Sequence, residues 1–186
     1  KSDVIMKSVD TSKINTNIDY NLNFPSDNYS LIFKWAAGIP IVGNNISDTK
    51  FYYTPSSFSS SIRVNSNLKE KVSRNNNLIE DYTLGLQRRF SFNYKIFDNT
   101  QLAYNKNIIS DMSDYREKVL SSLKSGIITN SNESTNFNTS PSFGWFKPSI
   151  SISTNYVWNK PLSSAINAAN INLVKNNTFN ISISPT

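Results

Sequence analysis

The chain has 186 residues, enough for one domain, and contains neither cysteine nor histidine. Disulfides, thiol chemistry and the usual zinc or iron ligand sets are therefore excluded, and we expect no cofactor and no metal. The net charge of +6 is spread thinly along the chain, whereas nucleic-acid binding needs a clustered basic patch, so we expect no nucleic-acid partner.

The residue composition is unusual for a soluble globular domain. Hydrophobic residues make up 38% of the chain and aromatic residues 12%, while Asn and Ser together supply nearly a third. A disordered segment would be poor in aromatic residues. The longest apolar run, residues 35–42, is far too short for a transmembrane helix. The composition suits a sheet with one face in water and the other against an apolar phase.

A strand pattern begins at Ile14, after an opening stretch without a clear period. Apolar and polar side chains alternate from there to Phe24, and Pro25 ends the pattern. A short strand is expected within residues 29–35. A loop is expected over residues 36–50, which carry two glycines and a proline.

Alternation returns over residues 58–68, where the apolar positions are even-numbered. Residues 69–77 are charged and rich in Asn, and they predict a solvated hairpin tip. They lead into residues 82–105, the clearest pattern of the chain. At roughly 3.3 Å per residue, its first strand would be about 50 Å long. The even-numbered side chains of that strand are Tyr82, Leu84, Leu86, Arg88, Phe90, Phe92, Tyr94 and Ile96.

Residues 97–99 predict a turn and therefore a hairpin. A three-residue loop places Ile96 opposite Thr100 and Tyr94 opposite Leu102, so that apolar side chains face each other. A two-residue loop would shift the pairing by one and break this pattern in every row. The Asn at the end of the turn suits the left-handed conformation that a three-residue loop requires. We therefore predict a long antiparallel hairpin with one apolar and one polar face.

The strand pattern fails after Asn105. Ser113 can cap a helix, and apolar residues at helical spacing predict one short helix of about three turns, in a loop over residues 113–125. We expect this helix to decorate the rim of the sheet. Residues 127–134 resemble a loop, and strand character resumes at Phe137.

Two further strands are expected near the end of the chain. The apolar positions are even-numbered over residues 150–158 and odd-numbered over residues 179–183. Counting gives six or seven strands in all, whereas bacterial single-chain barrels start at eight strands. We therefore expect residues 1–186 to be a single segment of a much larger barrel.

The shared apolar face could meet either a second sheet or lipid. Soluble β-sandwiches have short strands and a turn signal every 8–12 residues. Here the strands are long, the polar face is neutral, and aromatic residues lie towards strand ends. These features are typical of an all-β, antiparallel arc of a transmembrane β-barrel. The aromatic residues near strand ends are Tyr52, Tyr53, Tyr82, Trp145, Phe146 and Trp158.

Arg88 stands on the apolar side of its strand, where a charge at the bilayer midplane would cost about 2–4 kcal/mol. A strand of about 15 residues exceeds the 9–11 residues needed to span a bilayer at the usual tilt. We therefore place residues 90–96 in the membrane and Arg88 at the interface, where that cost is small.

Three segments carry a family resemblance: residues 51–65 (FYYTPSSFSSSIRVN), 86–94 (LQRRFSFNY) and 139–158 (TSPSFGWFKPSISISTNYVW). In this order they resemble segments of the SprA/Sov family of outer-membrane translocons, from the type IX secretion system of Bacteroidetes. The resemblance implies a very large barrel in the cell outer membrane that exports folded proteins. Its implied partners are outer-membrane lipid, secreted cargo proteins, and plug and accessory secretion proteins. It implies no catalytic residues.

Arg63, Arg89 and Lys95 are the candidate binding residues, because they lie on the polar face and would line the lumen of a barrel. Their sparse charges would bias the lumen weakly. No hydrolytic signature is present, and Gly38 and Gly43 stand alone rather than in a phosphate-binding loop. We therefore expect no enzymatic activity.

Two other functions remain open. The chain could be a soluble or cell-surface β-rich binding module whose apolar faces bury against each other. It could also belong to an outer-membrane barrel that imports small solutes. The favoured expectation is a part of a translocon that conducts secreted proteins across the bacterial outer membrane.

Overall fold

The computed structural model describes residues 6–25, 29–32, 34, 49–73, 77–115, 126–142, 146–160 and 172–185. This part of the chain is all-β, and its strands form one antiparallel sheet, which confirms the predicted fold class. It contains no helix that is long and apolar enough to cross a membrane. In chain order the strands are β1 (Met6–Asn23), β2 (Ser30–Ile32), β3 (Lys50–Tyr52), β4 (Ser57–Ser73), β5 (Leu78–Phe97), β6 (Thr100–Asp111), β7 (Ile127–Thr139), β8 (Phe146–Asn159) and β9 (Asn172–Pro185).

Seven long strands lie side by side in the order β1, β4, β5, β6, β7, β8, β9. The short strands β2 and β3 pair with each other, and β3 also pairs with the upper end of β5. We call upper the end at which Asp98 and Asn99 join β5 to β6. Within the described residues, β1 and β9 each have one long partner, so they are the edges of an open sheet. Its seven long strands fall within the predicted number.

The β5–β6 hairpin has the predicted register but a different turn. Tyr94 pairs with Leu102, as the alternation predicts. Phe97 pairs with Thr100, so the turn has two residues, and a register shift just before Phe97 makes Ile96 a β-bulge. The predicted pair of Ile96 with Thr100 is therefore wrong. Pairing of apolar side chains sets the register of this hairpin. The bulge accommodates Ile96, which has no partner in β6.

Several strands extend beyond their predicted limits. Each added segment is paired with a neighbouring strand for nearly all of its length. Backbone hydrogen bonding, rather than side-chain alternation, therefore makes these segments strands. The loop predicted over residues 127–134 is wrong, and the tip predicted over residues 69–77 is wrong for residues 69–73, while residues 74–76 lie outside the described residues. The added segments are residues 6–13 of β1, 69–73 of β4, 106–111 of β6 and 127–136 of β7.

Two predictions fall largely outside the described residues. Of the helix predicted over residues 113–125, the described part is Ser113–Tyr115, a single 3-10 turn, and residues 116–125 lie outside. The loop predicted over residues 36–50 also lies outside, apart from its last two positions.

The side chains separate onto two faces of different polarity. The even-numbered side chains of β5, with those directly opposite them in the other strands, form one face, which we call the convex face. The other, concave face carries mostly Ser and Asn. We call it concave because it encloses a groove of about 550 Å³. Residues of six strands, from β1 to β8, line this groove.

The sheet has almost no hydrophobic core of its own. Among the described residues, the buried apolar side chains are Tyr52, Leu84 and Met112. Large apolar side chains of the convex face stay exposed instead, and at the edge strands Ile18 is 65% and Ile183 is 63% exposed. The described sheet therefore leaves its apolar face without an apolar partner from its own chain.

The apolar side chains of the convex face run diagonally across the sheet. On β1 they centre on Ile18, which pairing through β4 places in register with Arg88 of β5. On β9 the cluster Phe179, Ile181 and Ile183 centres on Ile181, which pairing through β8, β7 and β6 places in register with Phe97 of β5. Leu173, at the lower end of β9, lies outside the cluster. We call this diagonal the apolar belt.

A small buried cluster forms where the chain leaves β6. Leu84 is 5% and Met112 3% exposed, and Met112 N donates a hydrogen bond to Leu84 O at 2.7 Å. Gly126 lies against this cluster with φ +71°. A Cβ at position 126 would overlap Asp111 O and lie 2.7 Å from Met112 Cγ. Glycine satisfies both the left-handed backbone and the close approach.

We expect Gly126→Ala to destabilise the folded protein by about 1–3 kcal/mol, because the new methyl group meets backbone atoms at a strained φ. Unfolding of the protein by denaturant would measure this. Gly85→Ala is the matched control, since a Cβ there lies 3.9 Å from its nearest neighbour, Asn65 O. The control should change stability by no more than about 0.5 kcal/mol. Equal effects of the two variants would contradict the close packing around Gly126.

Candidate functional site

The groove on the concave face is the candidate functional site. Its volume is about 550 Å³, and most of its lining is polar. Antiparallel pairing assembles it, because residues directly opposite in neighbouring strands point to the same face. The lining residues that matter below are Asn17 and Asp19 of β1, Ser59, Ser61 and Arg63 of β4, Arg89 and Ser91 of β5, and Asn107 of β6.

Ser and Asn side chains of the concave face hydrogen-bond to each other across strands. Ser151 Oγ donates to Asn138 Oδ1 at 2.7 Å, and Asn93 Nδ2 donates to Ser57 Oγ at 3.0 Å. Such pairs satisfy part of the hydrogen-bonding capacity of the wall internally and leave it neutral and hydrated. The concave face therefore offers neither a large apolar patch nor a dense charge.

Register brings Arg63 and Arg89 together. Arg63 pairs with Gln87, and Arg89 pairs with Ser61, so the two arginines are diagonal neighbours on β4 and β5. Diagonal neighbours on one face lie about 7–8 Å apart, within reach of long side chains. Both arginines are exposed in the groove.

The two guanidinium groups differ in how they are held. With the Gln87 amide turned so that its oxygen faces Arg89, that oxygen accepts hydrogen bonds from Arg89 Nε at 3.2 Å and from Arg89 Nη2 at 3.0 Å. Arg63 makes no ion pair within the described part of the chain. The groove carboxylate nearest in register is Asp19, diagonal to Arg63 across β1 and β4, and it accepts a hydrogen bond from Asn17 Nδ2.

Lys95 is not a free cation of the groove. Its Nζ forms an ion pair with Asp98 Oδ1 at 3.0 Å and donates to Tyr52 Oη at 3.2 Å. The same Nζ lies 4.5 Å from the centre of the Tyr52 ring. Three cationic candidate binding residues follow from the sequence. The structure brings two of them, Arg63 and Arg89, together and places Lys95 in a separate cluster.

This cluster attaches β3 to the upper end of β5. Tyr52 Oη donates to Asp98 Oδ1 at 2.7 Å, and Tyr94 Oη donates to Tyr52 O at 2.7 Å. Burial acts to raise the pKa of Asp98, but the hydrogen bonds from Tyr52, Lys95 and the backbone of Lys50 outweigh it and lower the pKa below its ordinary value. The stability that Asp98 contributes is thus present above the ordinary carboxyl pKa and is lost as pH falls through the lowered one. Tyr52 is 2% exposed, so it does not belong to an exposed aromatic belt.

Arg88 interrupts the apolar belt, as the sequence indicates. It pairs directly with Ile62 and Ile108. Its Nη2 donates to Ser110 Oγ at 3.1 Å, and Ser110 is 1% exposed. Ser110 is paired with Leu86, one row nearer the lower end. The guanidinium therefore points away from the upper part of the belt.

Besides Arg88, the convex face carries a row of polar residues that was not expected from the sequence. Lys106 Nζ and Glu133 Oε2 form an ion pair at 3.1 Å, with both side chains 34% exposed. Tyr156 pairs with Glu133, and Lys175 with Tyr156, so one row continues across four strands. On β7 to β9 this row lies below the belt's apolar residues, whereas on β6 Lys106 lies between Tyr104 and Ile108.

Sequence reasoning found both arginines but missed the groove residues Asp19 and Asn107 and the neighbouring Gln87. Their odd numbers in β1 and β5 and their place in the alternation put them on the polar face. Their proximity to Arg63 and Arg89 depends on the pairing of β4 with β1 and β5 and of β5 with β6, which side-chain alternation within one strand does not give.

Comparisons with known proteins return no match: no family model, no curated protein and no solved structure matches this chain.

Proposed function

We propose that this sheet is an arc of a transmembrane β-barrel in the bacterial outer membrane, and that the barrel conducts secreted proteins. The convex face contacts lipid, and the concave face borders the conduit. Secreted proteins, a plug and accessory secretion proteins are its partners, and the sheet has no enzymatic role. The translocon assignment follows the resemblance to the SprA/Sov family.

The diagonal course of the apolar belt carries the proposal. From β1 to β9 the belt's centre moves from Arg88 to Phe97 of β5, which is eight paired positions, without the bulged Ile96, over six strand steps. At about 3.3 Å per residue and about 4.8 Å between strands, the belt crosses the sheet at about 45° to the perpendicular of its strands. Strands of transmembrane barrels tilt by about 35–45°, so a level bilayer would meet the sheet along such a diagonal.

The positions of the polar groups on the convex face agree with a bilayer that follows the belt. Glu133 of β7 and Lys175 of β9 lie below the belt's apolar residues on their strands, with Tyr156 of β8 in the same row and Trp158 one row further down. Charged and aromatic side chains are favoured at the boundary between lipid and water. Arg88 is the exception, and its hydrogen bond to Ser110 directs its charge towards the lower end of the sheet.

The concave wall favours passage of a protein over capture of a small solute. Binding sites for small solutes combine a concave pocket with apolar and aromatic walls. In this groove, Ser, Asn and a few charges prevail, so a folded protein can slide past a hydrated surface without an apolar patch to bind.

Single cysteines test which face meets lipid, and the absence of native cysteine makes each the sole thiol of the chain. We expect a water-soluble thiol reagent, applied to membranes, to label Asn93→Cys and Ser151→Cys at least about tenfold faster than Phe92→Cys and Ile152→Cys. The reason is that lipid excludes a charged reagent from the convex face.

Each pair consists of neighbours in one strand, so depth in the membrane is matched. After unfolding in urea, all four variants should react at similar rates, which controls for intrinsic reactivity. Equal rates at both faces in intact membranes would overturn the transmembrane arc and favour the soluble binding module.

A further inference from the structure

We propose that Arg63 and Arg89 form an oxyanion-binding site in the concave groove, and that it takes the carboxylate groups of acidic polypeptide segments. The site follows from the geometry of the groove. The choice of a polypeptide as its source rests on the proposed function.

The geometry suits one oxyanion held by two guanidinium groups. The arginines are diagonal neighbours on adjacent strands, about 7–8 Å apart at their backbones, and the side chains can converge on one ligand. With the Gln87 amide turned as described above, its oxygen accepts from Nε and Nη2 of Arg89, and Nη1 is not among the donors that it engages. A planar fork of donors matches the two oxygens of a carboxylate.

The groups around Arg63 and Arg89 do not neutralise the positive charge of the two arginines. Two ion pairs of the described residues, Lys95 with Asp98 and Lys106 with Glu133, include neither Arg63 nor Arg89. Asp19 is the acidic residue of the groove lining, against the two arginines. The Lys106 side chain points to the convex face, where its Nζ is engaged by Glu133. The centre of the groove is therefore positively charged.

The surroundings determine which ligands fit. The groove residues beside the arginines are Ser61, Asn107 and Asn17, which offer hydroxyl and amide groups. A hydrated acidic segment finds hydrogen-bond partners there, whereas a sugar or nucleobase would need an aromatic stacking surface. Both arginines are exposed, so water competes and binding is weak and quickly reversible. Such a site can guide an acidic passenger without retaining it.

The test is an equilibrium titration of the complete protein in detergent micelles with a fluorescent octaglutamate peptide. We expect the double variant Arg63→Gln/Arg89→Gln to raise the Kd at least about tenfold, because both charge-assisted contacts are lost. Asp19→Asn should lower the Kd about two- to threefold, because it removes the competing carboxylate.

Lys175→Gln is the matched control, because it removes one positive charge from the convex face. It should change the Kd by less than about twofold. Inorganic phosphate is the second arm of the test. If phosphate binds through the same arginines and the peptide does not, an oxyanion site exists but the polypeptide source is wrong.

Two results would overturn the site itself. One is a double variant that binds the peptide as well as the unaltered protein does. The other is a control that weakens binding as much as the double variant does. Because binding is measured in micelles, a failure here is separate from a failure of the thiol-labelling test in membranes.

Discussion

Replacing four small polar residues of the concave wall by leucine, at Ser59, Ser91, Asn93 and Ser151, should stop protein export while the barrel still assembles. Ser59 and Ser91 are directly paired in the groove, so their replacements create one apolar patch on the wall. A passenger that slides past Ser and Asn would adhere to that patch. We expect secreted cargo in the medium to fall at least about tenfold, with barrel abundance in the outer membrane within about twofold of normal. The adhesion of a partly apolar passenger to several leucines supplies the few kcal/mol that such a block requires.

The matched control places the same number of leucines on the convex face. Ser60 and Ser66 of β4, Thr135 of β7 and Thr154 of β8 point to that face. Leucine there faces lipid, so export should be normal. Normal export from the leucine-lined concave wall would show that this face does not border the conduit. Loss of the barrel from the membrane in both variants would indicate a folding defect instead.

The sequence was sufficient for strands that alternate clearly and insufficient where pairing alone makes a strand. β5 and β8 were predicted because one face is apolar. Residues 127–136 of β7 were missed because Phe137 is the one large apolar side chain of its convex face between Ser131 and Thr139. It is a strand since β6 and β8 hydrogen-bond to it on both sides. Such pairing is a tertiary property, outside the reach of a local pattern.

The groove could be predicted as a polar surface but not as a site. Residues 69–77 were predicted to be a solvated tip, whereas β4 continues to Ser73 and pairs with β5 as far as Leu78. The length of that tip sets the register of β4 against β5, and a change of register would separate Arg63 from Arg89. The sequence shows which residues are charged or polar. Whether the two arginines become neighbours depends on the length of the tip between β4 and β5.

Lys95 is a second example of a contact that the sequence pattern does not predict. Its position in the alternation placed it on the polar face as a lumen cation. Its partners are Asp98, in the turn, and Tyr52, from a strand 43 residues earlier in the chain. Neither pairing leaves a periodic signal. The sequence therefore predicted the face on which Lys95 lies and missed the contact that engages its charge.

Without detergent, the 186-residue chain produced alone should not remain a monomer. Its apolar belt leaves Ile18, Ile181 and Ile183 more than half exposed, and its two edge strands present long rows of unpaired backbone groups. Either feature alone promotes association, and together they template strand addition. We expect the refolded chain to elute in the void volume or to sediment in buffer. In mild detergent it should stay dispersed and keep a β-type circular dichroism spectrum.

A double variant, Ile18→Lys and Ile181→Lys, separates the belt from other causes of aggregation. Both positions lie on the exposed belt, one at each edge strand, and charge there opposes both sheet addition and insertion into an apolar phase. The variant should be more soluble in buffer and bind less detergent than the unaltered chain. Lys13→Gln, a concave-face change at the β1 edge, should alter neither property. A soluble monomer of the unaltered chain, unfolding in one cooperative thermal transition, would contradict the membrane arc and indicate a binding module with a core of its own.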